Sequence, residues 1–250
     1  MGIKKNIMKK VLLSLVFLCT LFVSCDSADT TGNVSRVTNY PIFTLLGDDV
    51  IYVQKGDEFI DPGVIVTEGG NSIPYTTTIS GDYRGGTTLD TNVVDVYQVV
   101  YSAQNQDGFS GSASRTVIVY ENSDLVTSIS GLYLSKVVRN GVSSAQYTNM
   151  EYVLVWKNSN GTYEMSDGIG GYYNLGRGYG VGYAARPVII TANDISTNNF
   201  APIPSFGVGA FGGTATMSGL NANPGANTLS FSTVWSSGYT FNVTLTKVVL

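Results

Sequence analysis

The chain has 250 residues and a formal net charge of −4; 43% of it is hydrophobic, only 13% is charged, and it contains no histidine. The negative balance argues against nucleic-acid binding, which needs a basic face. The missing histidine excludes Ser-His-Asp and Cys-His nucleophiles and the usual zinc sites, so catalysis would fall to carboxylates, Tyr, Lys or Ser, and nothing in the chain asks for a cofactor.

At the N-terminus Lys4, Lys5, Lys9 and Lys10 precede an apolar run over residues 11–23, interrupted by Ser14, Cys19 and Thr20. A spanning helix needs about 20 apolar residues. This run is shorter, with basic residues before it and a small residue at its end, and it predicts a signal peptide over residues 1–24. An uncleaved N-terminal anchor is the other reading. Leu21-Phe22-Val23-Ser24-Cys25 resembles the lipobox cut by lipoprotein signal peptidase, with Phe22 where that box usually carries Leu. The resemblance implies that the Cys25 thiol is lipidated and that the membrane is a partner through the lipid anchor. It implies an outer-membrane location, at the cell surface, with a periplasm-facing orientation as the alternative. Cys19 leaves with the signal peptide, so the mature domains must be stable without a disulfide.

Residues 25–39 read as the lipidated Cys and a polar tether reaching at most about 50 Å. Its acids resemble the sequence that follows the Cys in surface-exposed Bacteroidetes lipoproteins, and Asp26-Ser27-Ala28 matches that phylum's O-glycosylation motif.

Residues 40–121 read as the first domain. Tyr97, Val99, Tyr101 and Ala103 alternate with Val96, Gln98, Val100 and Ser102, the period of two that means a strand. The turn Asn105-Gln106-Asp107-Gly108 follows, and residues 112–120 return as its partner. Shorter strands are predicted at 42–45, 50–53, 64–66 and 75–80, a spacing that suggests a β-sandwich. Val53-Gln54-Lys55-Gly56-Asp57, Phe59-Ile60-Asp61-Pro62-Gly63-Val64 and the Arg115–Val119 end resemble a bacterial Ig-like family first noticed in a pesticidal crystal toxin. The resemblance implies an Ig-like spacer or adhesion module and no catalytic residue. Asp61-Pro62-Gly63 is expected to form a turn. Asp48, Asp49 and Asp57 could bind calcium or be solvated loop acids.

Residues 124–250 read as a second all-β domain, rich in Tyr and Gly. Strands are predicted at 131–138, 147–157, 161–166, 180–190, 214–218, 228–235 and 239–248, with the last two a hairpin around Ser236-Ser237-Gly238. Leu229, Phe231, Thr233 and Trp235 share one face; Tyr239, Phe241, Val243 and Leu245 share another. The pattern fits an antiparallel sandwich or barrel and does not choose between them. Tyr163-Glu164-Met165-Ser166-Asp167, Gly170-Gly171-Tyr172-Tyr173 and the Phe241–Lys247 end resemble the C-terminal domain of an uncharacterised Bacteroidetes lipoprotein family, in which it follows an Ig-like domain.

Between residues 168 and 183, glycine and tyrosine are crowded together. Tyrosine packed over glycine inside a sheet is one reading; an aromatic platform for sugars, or for a protein surface, is another. The ligand-binding candidates are Trp156, Tyr163, Asp167, Tyr172, Tyr173, Arg177, Tyr179 and Tyr183. The function expected from all this is a non-catalytic binding or accessory lipoprotein in glycan capture. The alternatives are an adhesion component that binds a protein partner, and a carboxylate-based glycosidase drawing on Glu151, Glu164, Asp167 and Asp194, of which Glu164 and Asp167 are close in sequence.

Overall fold

The computed structural model describes residues 37–250; the signal-peptide and Cys25 readings lie outside the described residues. The strands run, in chain order, β1 (Ile42–Leu45), β2 (Val50–Gln54), β3 (Val64–Glu68), β4 (Asn71–Ser72), β5 (Thr76–Gly81), β6 (Asp95–Gln104), β7 (Ser110–Tyr120), β8 (Gly131–Arg139), β9 (Met150–Lys157), β10 (Tyr163–Met165), β11 (Val188–Asp194), β12 (Asn199–Pro202), β13 (Phe206–Gly207), β14 (Thr214–Asn223), β15 (Thr228–Trp235) and β16 (Tyr239–Lys247).

The first seven strands form two sheets, β1-β3-β4 and β2-β7-β6-β5. All neighbours are antiparallel except β2 and β7, which run parallel. Alternation along β6 aims Tyr97, Val99 and Tyr101 inward, where they meet Val64, Val66 and Val117. This is the predicted Ig-like sandwich. Gly108, at φ +88, closes the β6–β7 turn, and the Asn105 side chain accepts the Phe109 N–H at 2.7 Å.

Asp61 does more than turn the chain. It accepts the Gly63 N–H at 3.0 Å and the Tyr101 hydroxyl at 2.7 Å, and it pairs with the Arg115 guanidinium. Arg115 is wholly buried, and it also donates to the Asp48 carbonyl at 2.8 Å and to the Leu46 carbonyl. A buried guanidinium is tolerable only when its donors are satisfied. Here one arginine ties two loops and β6 together.

The last nine strands form a single antiparallel sheet in the order β12-β11-β10-β9-β8-β16-β15-β14-β13. Its first and last strands, β8 and β16, pair in the middle, from Phe241 with Arg139 to Lys247 with Tyr133. The remaining strands meander outward to β12 and β13, the two edges. One face of every long strand feeds one core, with Val137, Val153, Val188, Met217, Phe231 and Val243 all in the same cluster. That geometry is a half-barrel: of the two forms the sequence allowed it is the rolled one, left open between β12 and β13.

The expected strand over 180–190 forms only from Val188 onward. Before it, the segment between β10 and β11 leaves the sheet and fills the concave face. Ile169, Tyr172 and Tyr173 are buried there. The Ser135 hydroxyl donates to the Gly170 carbonyl at 2.7 Å and the Thr233 hydroxyl to the Gly168 carbonyl at 2.6 Å. These bonds account for two polar side chains that point inward with the apolar faces of β8 and β15.

The two sheet systems share a third buried cluster. Tyr83, Val94 and Ile118 pack against Leu132, Leu154 and Trp156. Asn174 donates to the Tyr83 hydroxyl at 2.9 Å, the Tyr52 and Tyr152 hydroxyls lie 2.9 Å apart, and Lys55 pairs with Glu121 at 2.5 Å. Residues 40–250 accordingly form one compact unit.

Candidate functional site

The β10–β11 segment passes through the core and then comes to the surface. It starts at Ser166 and Asp167, both fully buried. One Asp167 oxygen accepts the Ile169 N–H at 2.9 Å; the other has no hydrogen-bond partner among the described residues. Burial pushes the Asp167 carboxyl up to about 7, against nearby backbone N–H groups and the charge of Arg186. Gly170 and Gly171 follow at φ +67 and +76, a conformation that side-chain-bearing residues rarely adopt. A Cβ on Gly170 would lie 2.6 Å from Val243 and 2.8 Å from Val137, so the backbone reaches the sheet only because no side chain intervenes.

Tyr172 stacks on Tyr147 with ring centroids 3.9 Å apart and meets Phe241 edge-on at 5.4 Å. Tyr173 lies 4.6 Å from Phe211 and 6.1 Å from Trp235. Past Asn174 the chain emerges. Tyr179 lies nearly parallel to Tyr173 at 6.3 Å and Tyr183 lies 5.0 Å from Phe211. Tyr179 remains 47% exposed and Phe211 44% exposed. The result is a ridge of rings, rooted in the core through Tyr173 and Trp235 and open to solvent along Tyr179, Tyr183 and Phe211.

Beside the ridge lies a groove of about 480 Å³ between Arg139 and Arg177, floored by Tyr147 and Tyr172. The Arg139 guanidinium sits 4.9 Å from the ring centroids of both Tyr172 and Tyr239. The Arg177 guanidinium sits 5.9 Å from Tyr172. Burial and Tyr147 push the Tyr172 hydroxyl up, while Arg177 and Arg139 pull it down. A second cleft, of about 460 Å³, opens between the outer face of the Ig-like sheet and the half-barrel, with Tyr52, Tyr152, Asp82 and Glu151 in its walls.

The structure divides the sequence candidates. Trp156, Tyr163 and Asp167 are enclosed: Trp156 belongs to the shared cluster between the sheets, and Tyr163 faces the half-barrel core. Tyr172 and Tyr173 are buried and support the surface from below, and Arg177, Tyr179 and Tyr183 form it. The burial of the first three has a physical cause. Each lies on the run from β9 to the start of the plug, where both the half-barrel core and the Ig-like sheet must be covered. Glu164 is held by Arg186 at 3.5 Å, so Glu164 and the enclosed Asp167 do not face solvent as a carboxylate pair. Among the described residues no group of three His, Cys, Asp or Glu is placed to hold a metal ion.

Sequence reasoning missed Phe211, Arg139 and Tyr239. Phe211 had a signal: Gly209, Gly212 and Gly213 surround it, the same glycine-and-ring composition as residues 168–183. Arg139 and Tyr239 had none, since their meeting depends on β8 pairing with β16 across a hundred residues.

A family model described as a C-terminal domain matches residues 122–247. A second, described as the Ig-like domain of bacterial surface proteins, matches residues 43–119. The crystal structure of the lipoprotein BT2262 from Bacteroides thetaiotaomicron is similar, with 26% identity and a TM-score of 0.61 over 83% of this chain and 100% of that one. No curated protein matches the chain.

Proposed function

The chain belongs to the family defined by that C-terminal domain, here joined to a bacterial surface Ig-like domain, and from this membership we propose that it is a cell-envelope lipoprotein that captures glycans on its half-barrel. Cys25 carries the lipid, residues 26–39 form the tether, and the module is non-catalytic, displayed at the outer surface of the cell.

The observation that carries the glycan reading is the continuous ridge through Tyr173, Tyr179, Tyr183 and Phe211. A sugar ring offers an apolar C–H face and a hydroxyl rim. An exposed tyrosine offers a flat apolar face with a polar tip, and rings backed by buried rings lose little side-chain freedom when a ligand docks. The glycines flanking Tyr179 place few side chains in a ligand's way; a Cβ at Gly178, Gly180 or Gly182 would meet open space.

The test is affinity electrophoresis of the full-length chain through a panel of polysaccharides. At least one should retard it, and the double variant Tyr179→Ala, Phe211→Ala should weaken that retardation by about tenfold or more with the fold intact. No retardation by any polysaccharide, together with a reproducible crosslinked protein at the ridge on intact cells, would favour the adhesion reading, since exposed tyrosines also serve protein interfaces.

A further inference from the structure

We propose that the groove between Arg139 and Arg177 binds the anionic substituent, a carboxylate or sulfate, of an acidic polysaccharide lying on the aromatic ridge. This deepens the glycan reading and rests on it.

The first observation is unpaired positive charge. Lys55, Arg115 and Arg186 each have a carboxylate partner. Arg139 and Arg177 have none among the described residues, and no Asp or Glu lines the groove between them. Arg84, Lys136, Lys157 and Lys247 lack one too; what sets Arg139 and Arg177 apart is that both line the same groove. Two guanidinium groups share the Tyr172 ring, at 4.9 and 5.9 Å. Two like charges lining one groove favour an anion between them.

The second observation is preorganisation. Arg139 is held between Tyr172 and Tyr239, both at 4.9 Å. Stacking on rings fixes a guanidinium's plane, and its N–H donors lie in that plane, the geometry that suits a carboxylate or sulfate edge. Asn140, Ser144 and Gln146 add neutral polar groups for the sugar hydroxyls.

The third is continuity. Arg177, which lines the groove, and Tyr179, on the ridge, are both exposed and lie two residues apart on one segment. A single extended sugar chain can stack on the ridge and put its charged group in the groove.

The experiment uses the full-length chain with polygalacturonate and dextran sulfate as anionic probes, and methyl-esterified polygalacturonate and dextran as neutral ones. An anionic probe should bind about tenfold or more tighter than its neutral counterpart and weaken as salt rises. Arg177→Gln should remove that preference, whereas Lys136→Gln, the same charge change at an exposed site on β8, should preserve it. Equal loss in both variants, or binding of neutral and anionic probes alike, overturns the anion site and leaves the glycan reading standing. If no polysaccharide binds, the glycan reading fails and sodium sulfate decides the site alone. A rise in melting temperature that Arg177→Gln abolishes supports the anion site, and no such rise overturns it.

Discussion

Asp167 is the residue whose surroundings and chemistry are most at odds. It is a carboxyl with no exposed surface and one unpartnered oxygen, pushed up to about 7. Because the folded-state value is raised, the fold prefers the protonated form. The contribution is fully present below the ordinary value of 3.8 and is lost as pH rises through about 7. Asp167→Asn keeps the shape without the charge. It should therefore gain stability relative to the parent between pH 5 and pH 8, on the order of 1–3 kcal/mol, measured by urea unfolding at each pH. A flat difference across that range would contradict the burial argument. Gly170 gives a prediction of the opposite sense. Gly170→Ala brings a Cβ to 2.6 Å from Val243 at φ +67 and should destabilise by about 2–4 kcal/mol. Neither environment was visible beforehand. Asp167 in the sequence is a polar residue beside glycines, and only the path of the chain through the half-barrel shows it enclosed.

At the scale of elements, the strands were legible where alternation was strong. β6, β15 and β16 lie within a residue or so of their expected bounds, because each has one clean apolar face. β4, β12 and β13 were not read, since two to four residues at sheet edges carry no periodicity. The stretch from Gly180 to Pro187 was read as strand, but Gly180 sits at φ +87 and a 3-10 turn follows at Val181–Tyr183, so it continues the plug. Within the Tyr/Gly stretch, Tyr172 and Tyr173 are buried packing and Tyr179 is exposed. The plug is tied down by Ser135 and Thr233. Thr233→Val and Ser135→Ala should each cost about 1–3 kcal/mol, because a buried carbonyl loses its donor. Hydrogen exchange should quicken across residues 168–174 more than in β15 or β16. Uniform quickening would mean that the plug and the sheet open as one.

At the scale of the molecule, the Ig-like sandwich does not behave as a free spacer. Its Tyr83, Val94 and Ile118 complete a core with Leu132, Leu154 and Trp156, and Tyr83 holds Asn174 of the plug. Residues 40–250 should unfold in a single transition. Tyr83→Ala should lower the stability by about 3–5 kcal/mol and split that transition in two, seen by far-UV circular dichroism alongside Trp156 and Trp235 fluorescence. The order of the domains was legible in their resemblances, but their shared core was not, because Tyr83 looks like an ordinary loop residue and Trp156 was read as a ligand-binding candidate. The Cys25 reading belongs to this scale too: mass spectrometry of membrane-extracted protein should find a mature N-terminus at an acylated Cys25, and Cys25→Ser should leave the chain unprocessed. The central claim, that the ridge on the half-barrel is where a glycan docks, is tested most directly by backbone NMR of the full-length chain with and without a polysaccharide that retards it. Perturbed amides should cluster at residues 177–183 and 209–213 and along the Arg139 groove; perturbations centred instead on the cleft of Tyr52 and Tyr152 would contradict it.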